Sequence, residues 1–207
     1  ALWLLRSGRV DRVLAGGVDA LLTVGVSAPF ARMEAMSTRF DDPRGSSRPF
    51  DLGRDGFVLA EGAAFFVLER SSDSPTGVGR ILGYATNSDA HHIVAPPERG
   101  EGAARCMVAA LEDAGLDPGD IGHVNAHGTS TPAGDIGETN GIKRALGDHA
   151  KQVMISSTKS TTGHLLGAAG VASAQTDIKV SVGLDRDTIG LDEQAMLQVT
   201  VSGSVQN

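Results

Sequence analysis

The stretch from Glu101 to Ser156 limits the possible folds more than any other part of this chain. Glu101–Ala114 places Ala104, Met107, Val108 and Leu111 on one face at the 3.6-residue period of an α-helix, and Gly115 closes it. Asp117-Pro118-Gly119-Asp120 is a turn, and the apolar run Ile121–Ala126 after it reads as a strand. A second helix is predicted near Asp135–Leu146 and a second strand near Gln152–Ser156. Helix and strand alternating in this way admit few packings, because each crossover helix must lie back across the sheet. An α/β chain with a mostly parallel sheet covered by helices is therefore expected.

The remaining segments fit the same class. Residues 2–8 read as the last turns of a helix closed by Gly8. The opening ALWLL lacks a preceding basic region and a small-residue cleavage site, so it reads as a start in mid-helix rather than a signal peptide. Val10–Gly16 is a predicted buried strand ending at Gly-Gly, and Ser27–Met36 a helix with Ser27 as its cap and Pro29 in the first turn. Residues 37–55 hold Pro43, Gly45, Pro49 and Gly53 and form a long ordered loop. Ala63–Leu68 is continuously apolar, the pattern of a strand covered on both faces. Ser71–Gly79 is the best internal boundary, and Arg80–Thr86 the next strand. Three regions result: 1–70, 80–174 and a tail, 175–207.

In the tail, Ile178, Val180, Val182 and Leu184 alternate at period two, as do Leu197, Val199 and Val201. This predicts two strands around an acidic connector, with Gly183, Gly190 and Gly203 as breakers. A loose or partly disordered hairpin is expected, one that leaves apolar surface beside it uncovered.

Composition closes off several functions. At 41% hydrophobic and 21% charged, the 207 residues can bury a sizeable core. A net charge of −7 without a basic stripe argues against binding a nucleic-acid backbone. No apolar run approaches the roughly 18 residues of a membrane span. The single cysteine, Cys106, permits no intrachain disulfide, which fits a reducing cytoplasm.

Two loops carry the candidate chemistry. His127–Asp135 (HGTSTPAGD) follows the Ile121–Ala126 strand, and Ser157–His164 (STKSTTGH) follows Gln152–Ser156. In open α/β sheets, functional loops gather at such strand ends. Two neutral imidazoles converging on one carbonyl oxygen would donate two N–H bonds to a developing oxyanion, and Lys159 nearby would keep a histidine neutral by charge repulsion. From spacing alone, either histidine is equally a hydrogen-bonded structural residue. A Ser-His-Asp hydrolase lacks the G-x-S-x-G elbow. A metal site is not supported: His91 and His92 would point to opposite faces of a strand, and His123 has no cysteine partners. The Gly163–Gly170 run does not match the G-x-G-x-x-G dinucleotide turn.

His127–Asp135 with Glu138, the segment Ser156–Gly170 (SSTKSTTGHLLGAAG) and Arg48–Glu61 (RPFDLGRDGFVLAE) closely resemble three motifs of the β-ketoacyl-acyl carrier protein synthases, the ketosynthases. Tyr84–Pro97 and Val13–Ala20 match as well, and the nearest likeness is to the chain-elongating synthase II type of bacterial fatty-acid synthesis. The resemblance covers about residues 1–174. It implies a thiolase-like layered α/β fold (α-β-α-β-α), incomplete at the N-terminus and divergent at the C-terminus. It implies a decarboxylative Claisen condensation of a malonyl thioester with an acyl thioester. His127 and His164 then resemble the pair that promotes decarboxylation and stabilises the enolate. Lys159 and Glu138 resemble the charged pair that tunes that site, Asp135 a supporting acid, and Thr129 and Thr131 the hydroxyls that hold the phosphopantetheine arm. Acyl carrier protein is the implied partner, and the phosphopantetheine arm the implied substrate carrier, with no bound cofactor or metal. Pairing as a homodimer, or with a complete ketosynthase, is implied too.

The departures matter as much. The family's nucleophilic cysteine lies upstream of the segment that matches Ala1, and Cys106, within the amphipathic helix, reads as inert packing. The family's C-terminal glycine-rich loop has no match either. The chain is therefore expected to be a ketosynthase fragment, inactive alone. A non-catalytic scaffold that pairs with a complete ketosynthase is the alternative, though such partners usually lose the histidines kept here. A third reading is an acyltransferase or hydrolase using another nucleophile.

Overall fold

The helix Glu101–Ala114 (α3) forms over the residues its periodicity marks, and Gly115 ends it in the left-handed conformation. Its buried face holds Ala104, Cys106, Met107, Ala110 and Leu111, while Val108 lies at the exposed edge. The face is thus turned slightly from the predicted one, because it packs on two neighbours. These are the strand His123–Asn125 (β4) and the helix Pro132–Leu146 (α4), which supply Val124, Ile142, Ala145 and Leu146 to one core. α4 starts a turn earlier than its apolar pattern, with Thr131 before it and Pro132 at its first position. The strand Met154–Ser156 (β5) runs parallel to β4, pairing His123 with Met154 and Asn125 with Ser156.

The computed structural model describes residues 1–70, 79–173, 180–185 and 196–201; residues 71–78 of the connector and the boundary at 174–175 lie outside them. In the first region a short helix, Leu2–Arg6 (α1), leads to the strand Arg12–Asp19 (β1), which pairs antiparallel with Gly62–Glu69 (β2). β1 runs through Gly16-Gly17 instead of ending there. A Cβ on Gly17 would stand 2.7 Å from the Gly167 carbonyl, so a side chain is excluded where the strand meets the turn Leu166–Ala168. β2 is not covered on both faces: Ala64 is buried while Phe65 and Val67 stand exposed. The helix between these strands spans Val24–Arg32 (α2). Thr23, not Ser27, precedes it; Ser27 Oγ donates back to the Thr23 carbonyl, and Pro29 sits inside the helix. Proline is accommodated there because the carbonyl it cannot serve belongs to exposed Gly25.

The predicted Arg80–Thr86 strand shrinks to Ala85–Thr86 (β3). Lys159–Thr162 (α5) and Ala169–Ser173 (α6) are short helices. The tail does contain two strands, Val180–Asp185 (β6) and Met196–Val201 (β7), paired antiparallel. Three corrections follow. The hairpin is not loose: β7 also pairs with β3, Ala85 opposite Leu197, and β6 approaches β4. Gly183 lies within β6 opposite Gln198 and breaks nothing, while Gly190 and Gly203 lie outside the described residues. The pairing is also not mostly parallel. Among the described strands only β4–β5 runs so, with α4 as the crossover that parallel pairing needs; β1 and β2 pair antiparallel although α2 lies between them in the chain.

Candidate active site

Parallel pairing of β4 with β5 delivers both histidine loops from neighbouring strand ends. The Ala126 N–H continues the ladder to the Ser156 carbonyl at 2.7 Å, and the loops diverge beyond it. Ser157 Oγ sews them together, 2.9 Å from the Gly128 carbonyl and 3.2 Å from that of His127. The Thr158 N–H donates to Asn125 Oδ1.

His164 is fully buried, held by the segment that follows the long loop. Its N–H donates to the Val58 carbonyl at 2.7 Å, and its own carbonyl accepts from Ala60 at 3.0 Å. Gly163 makes this approach possible: its φ is +71°, and a Cβ there would lie 2.8 Å from that of Ala60. The Leu166 N–H lies 3.3 Å from His164 Nδ1. An Nδ1 that accepts leaves the ring hydrogen of a neutral imidazole on Nε2. His127 and His164 meet edge to face, centroids 5.3 Å apart at 82°. Phe57 also meets His164 edge to face at 5.4 Å, and Phe30 meets Phe57 in the same way at 5.5 Å, so a chain of aromatic contacts holds the ring.

Glu138, on α4, anchors the start of the first loop. Its two carboxyl oxygens each accept a backbone N–H at 2.7 Å, from His127 and from Gly128. Burial pushes its carboxyl up to about 7; the Gly128 and His127 N–H bonds and the Lys159 ammonium oppose the rise, and neighbouring Asp135 adds to it. Lys159 is itself buried, at the start of α5. Asp135 is buried and takes N–H bonds from Phe50 (2.7 Å) and Ser130 (3.2 Å), with Arg54 Nε 3.4 Å away. Burial raises its pKa as well, against these contacts. Thr129 and Thr131 stand with their hydroxyls 3.0 Å apart.

The structure thus sets Glu138 at the start of the first loop, Lys159 near the start of the second and His164 at its end with its ring against that of His127, and places Asp135, Thr129 and Thr131 along the first loop. Cys106 sits apart, in the α3 core. His123 Nε2 lies 2.9 Å from Ser156 Oγ, and exposed His92 accepts the Val94 and Ala95 N–H groups at Nδ1. Among the described residues no group of three or more His, Cys, Asp or Glu is placed to hold a metal, and no helix is long and apolar enough to cross a membrane. Sequence reasoning missed Phe57, Ser157, Ser130 and Arg54. For Arg54 the signal was Arg48 and Arg54 interleaved with Asp51 and Asp55 in a loop full of breakers, a pattern that calls for an ordered ionic fold.

Residues 78–189 match the family model "Beta-ketoacyl synthase, C-terminal domain", and residues 1–74 match the "Beta-ketoacyl synthase, N-terminal domain". A 3-oxoacyl-[acyl-carrier-protein] synthase 2 of Vibrio cholerae is 49% identical over 172 residues, 81% of this chain and 42% of the relative. One from Synechocystis is 48% identical over 174 residues, with shares of 82% and 42%. The chain therefore spans about two-fifths of the length of these curated relatives. Among solved structures, a type II PKS ketosynthase in complex with its acyl-carrier protein superposes with a TM-score of 0.89 at 30% identity, covering 99% of this chain and 59% of that one. A β-ketoacyl synthase from Burkholderia phymatum gives 0.85 at 30%, covering 98% and 57%. These ketosynthases share the layered α/β architecture described above, and with one domain model matching more than half of its residues, the chain belongs to the β-ketoacyl synthase family.

Proposed function

We propose that this chain carries the decarboxylation half of a β-ketoacyl-acyl carrier protein synthase active site and needs a cysteine-bearing segment to complete the reaction. The observation that carries the reading is the histidine pair: two rings edge to face at 5.3 Å, one fixed through Nδ1 so that Nε2–H is its donor. A malonyl thioester would place its carbonyl oxygen against these rings. Loss of CO2 sends the C–C bonding pair onto that oxygen, and Nε2–H of His164, with the His127 ring beside it, stabilises the enolate. The enolate carbon then attacks an acyl thioester held on cysteine, and the thiolate leaves. Cys106 is too deeply packed in α3 for that part. Lys159 and Glu138 set the charge around the pair and the shape of the His127 turn, and Asp135 braces the first loop. The Thr129–Thr131 hydroxyls are a shelf for the phosphopantetheine arm, whose carrier would be an acyl carrier protein. The functional unit would be a homodimer or a pairing with a complete ketosynthase, in the cytoplasm, in fatty-acid or polyketide elongation.

With the chain joined to a cysteine-bearing upstream half, His127→Ala or His164→Ala should slow CO2 release from malonyl-ACP by about 10²–10³-fold, or about 2.7–4 kcal/mol, as for loss of one oxyanion donor. Acyl loading should change far less. Decarboxylation at the parental rate in both variants would sink the assignment.

A further inference from the structure

The His127–Asp135 loop is held at its two ends by different devices. Glu138 grips the start, through the N–H groups of His127 and Gly128. The far end lies under residues 47–54, which cross it as a strap. The Arg48 N–H donates to Ser130 Oγ at 3.0 Å, and the Phe50 N–H to Asp135 Oδ2 at 2.7 Å. Asp135 Oδ1 accepts the Ser130 N–H. Ser47 Oγ donates to the Lys159 carbonyl at 2.9 Å, so the strap touches the second histidine loop too. Phe50 (φ +66°) and Ser130 (φ +69°) both hold the left-handed conformation, which a side chain disfavours and the surroundings must impose.

Arg54 closes this arrangement. Its Nε lies 3.4 Å from Asp135 Oδ2 and 3.3 Å from the Thr131 carbonyl. Nη2 donates to the Pro132 carbonyl and Nη1 to that of Asp51, both at 2.8 Å. Three acceptors of one short turn, one of them a buried carboxylate, converge on this largely buried side chain. A planar guanidinium, with donors spread in a fork, serves them together; an ammonium on a flexible stem does not.

We propose that Arg54 is a positioning residue: it fixes the Thr129–Thr131 end of the loop so that the two hydroxyls stand side by side as a shelf, independently of the Glu138 anchor at the histidine end. The ligand on that shelf, a pantetheinyl arm, rests on the reading given under Proposed function; the mechanical role does not.

Residue-resolved amide hydrogen exchange on the 207-residue chain tests this. In Arg54→Met, the Phe50 and Ser130 amides should exchange at least about tenfold faster, while His127 and Gly128 stay within about twofold of the parent. Arg54→Lys restores the charge without the fork and should fall between. Should Arg54→Met fail to fold, Arg54→Lys alone must show the same split. Equal acceleration of all four amides, or of none, overturns the proposal. Titration with pantetheine, followed at Thr129 and Thr131, should give about tenfold weaker binding in Arg54→Met. Unchanged binding in the variant also overturns it. Failure of the parent to bind pantetheine removes the ligand assignment alone, and the exchange result still decides what Arg54 does.

Discussion

The two α/β regions of this chain solve the same packing problem to different degrees. Around β4, the helices α3 and α4 interlock, and Cys106, Met107, Ala110, Val124 and Ile142 are almost fully enclosed. The β1–β2 ribbon is covered on one face only. Its inner residues meet the Leu166–Ala168 turn and α6, and Asp19 accepts the Ala168 N–H. On the outer face Leu14 lies opposite Val67, and Gly16 opposite Phe65. There Leu14, Val18, Phe65 and Val67 are 69%, 62%, 48% and 66% exposed. Full burial of a side chain of this size contributes roughly 1.5–3 kcal/mol. The second region takes that contribution and the outer face of the first forgoes it. Activity, as proposed, draws on both: the covered region supplies His127 and Glu138, and the segment leading into β2 holds His164.

This contrast is sharpest in core deletions. Ile142→Ala should cost about 2–5 kcal/mol, because the enclosed site cannot collapse onto the lost atoms. Val67→Ala should stay within about 0.5 kcal/mol. Urea unfolding of both variants measures the difference. Equal losses would mean that the outer ribbon face is covered after all and that the contrast is false.

Much of the covered region was readable in the sequence because each of its elements ends in its own local signal. Gly115 closes α3, Pro132 opens α4, and the Asp117–Asp120 turn carries a capping box. The histidine loops were legible as long motifs at strand ends. The ribbon misled because a continuous apolar run says that both faces need cover, not that both receive it. The strap was hidden for another reason. Arg54 meets Asp135 and the Thr131 carbonyl through tertiary closure over more than seventy residues, and no local period marks such a contact. The tail hairpin likewise showed its alternation but not its partner, since β3 contributes only two residues to the pairing.

A smaller effect separates the regions by pH. Glu138 belongs to the covered region and has its carboxyl raised from 4.5 to about 7, chiefly by burial. A raised carboxyl binds its proton more tightly when folded. Its stabilisation is therefore complete below the unfolded pKa of 4.5 and is lost as pH rises through about 7. The shift corresponds to at most about 3 kcal/mol, and the rise at Asp135 acts in the same direction. Melting followed between about pH 5 and pH 8 should show stability falling with pH, and Glu138→Gln should flatten the slope. A Glu138→Gln slope as steep as the parent's would show that other groups govern the dependence.

The smallest effect on stability should come from the bare face itself. Phe65→Lys with Val67→Lys puts two charges where the structure shows exposed apolar side chains. Surface substitutions of this kind stay near about 0.5 kcal/mol each, so the melting temperature should move by only a few degrees. Association should respond much more. A contiguous apolar patch on a two-stranded ribbon favours self-contact, and lysine on strands opposes edge and face pairing. Sedimentation at rising protein concentration should show the parent associating more than the double variant. The register makes the test selective: Phe66 and Leu68 point to the opposite, inner face, so Phe66→Lys should destabilise the fold rather than disperse the chain. If Phe65→Lys with Val67→Lys unfolds the protein as Phe66→Lys does, the two faces of the ribbon are equivalent, and the one-sided cover on which the comparison rests is wrong.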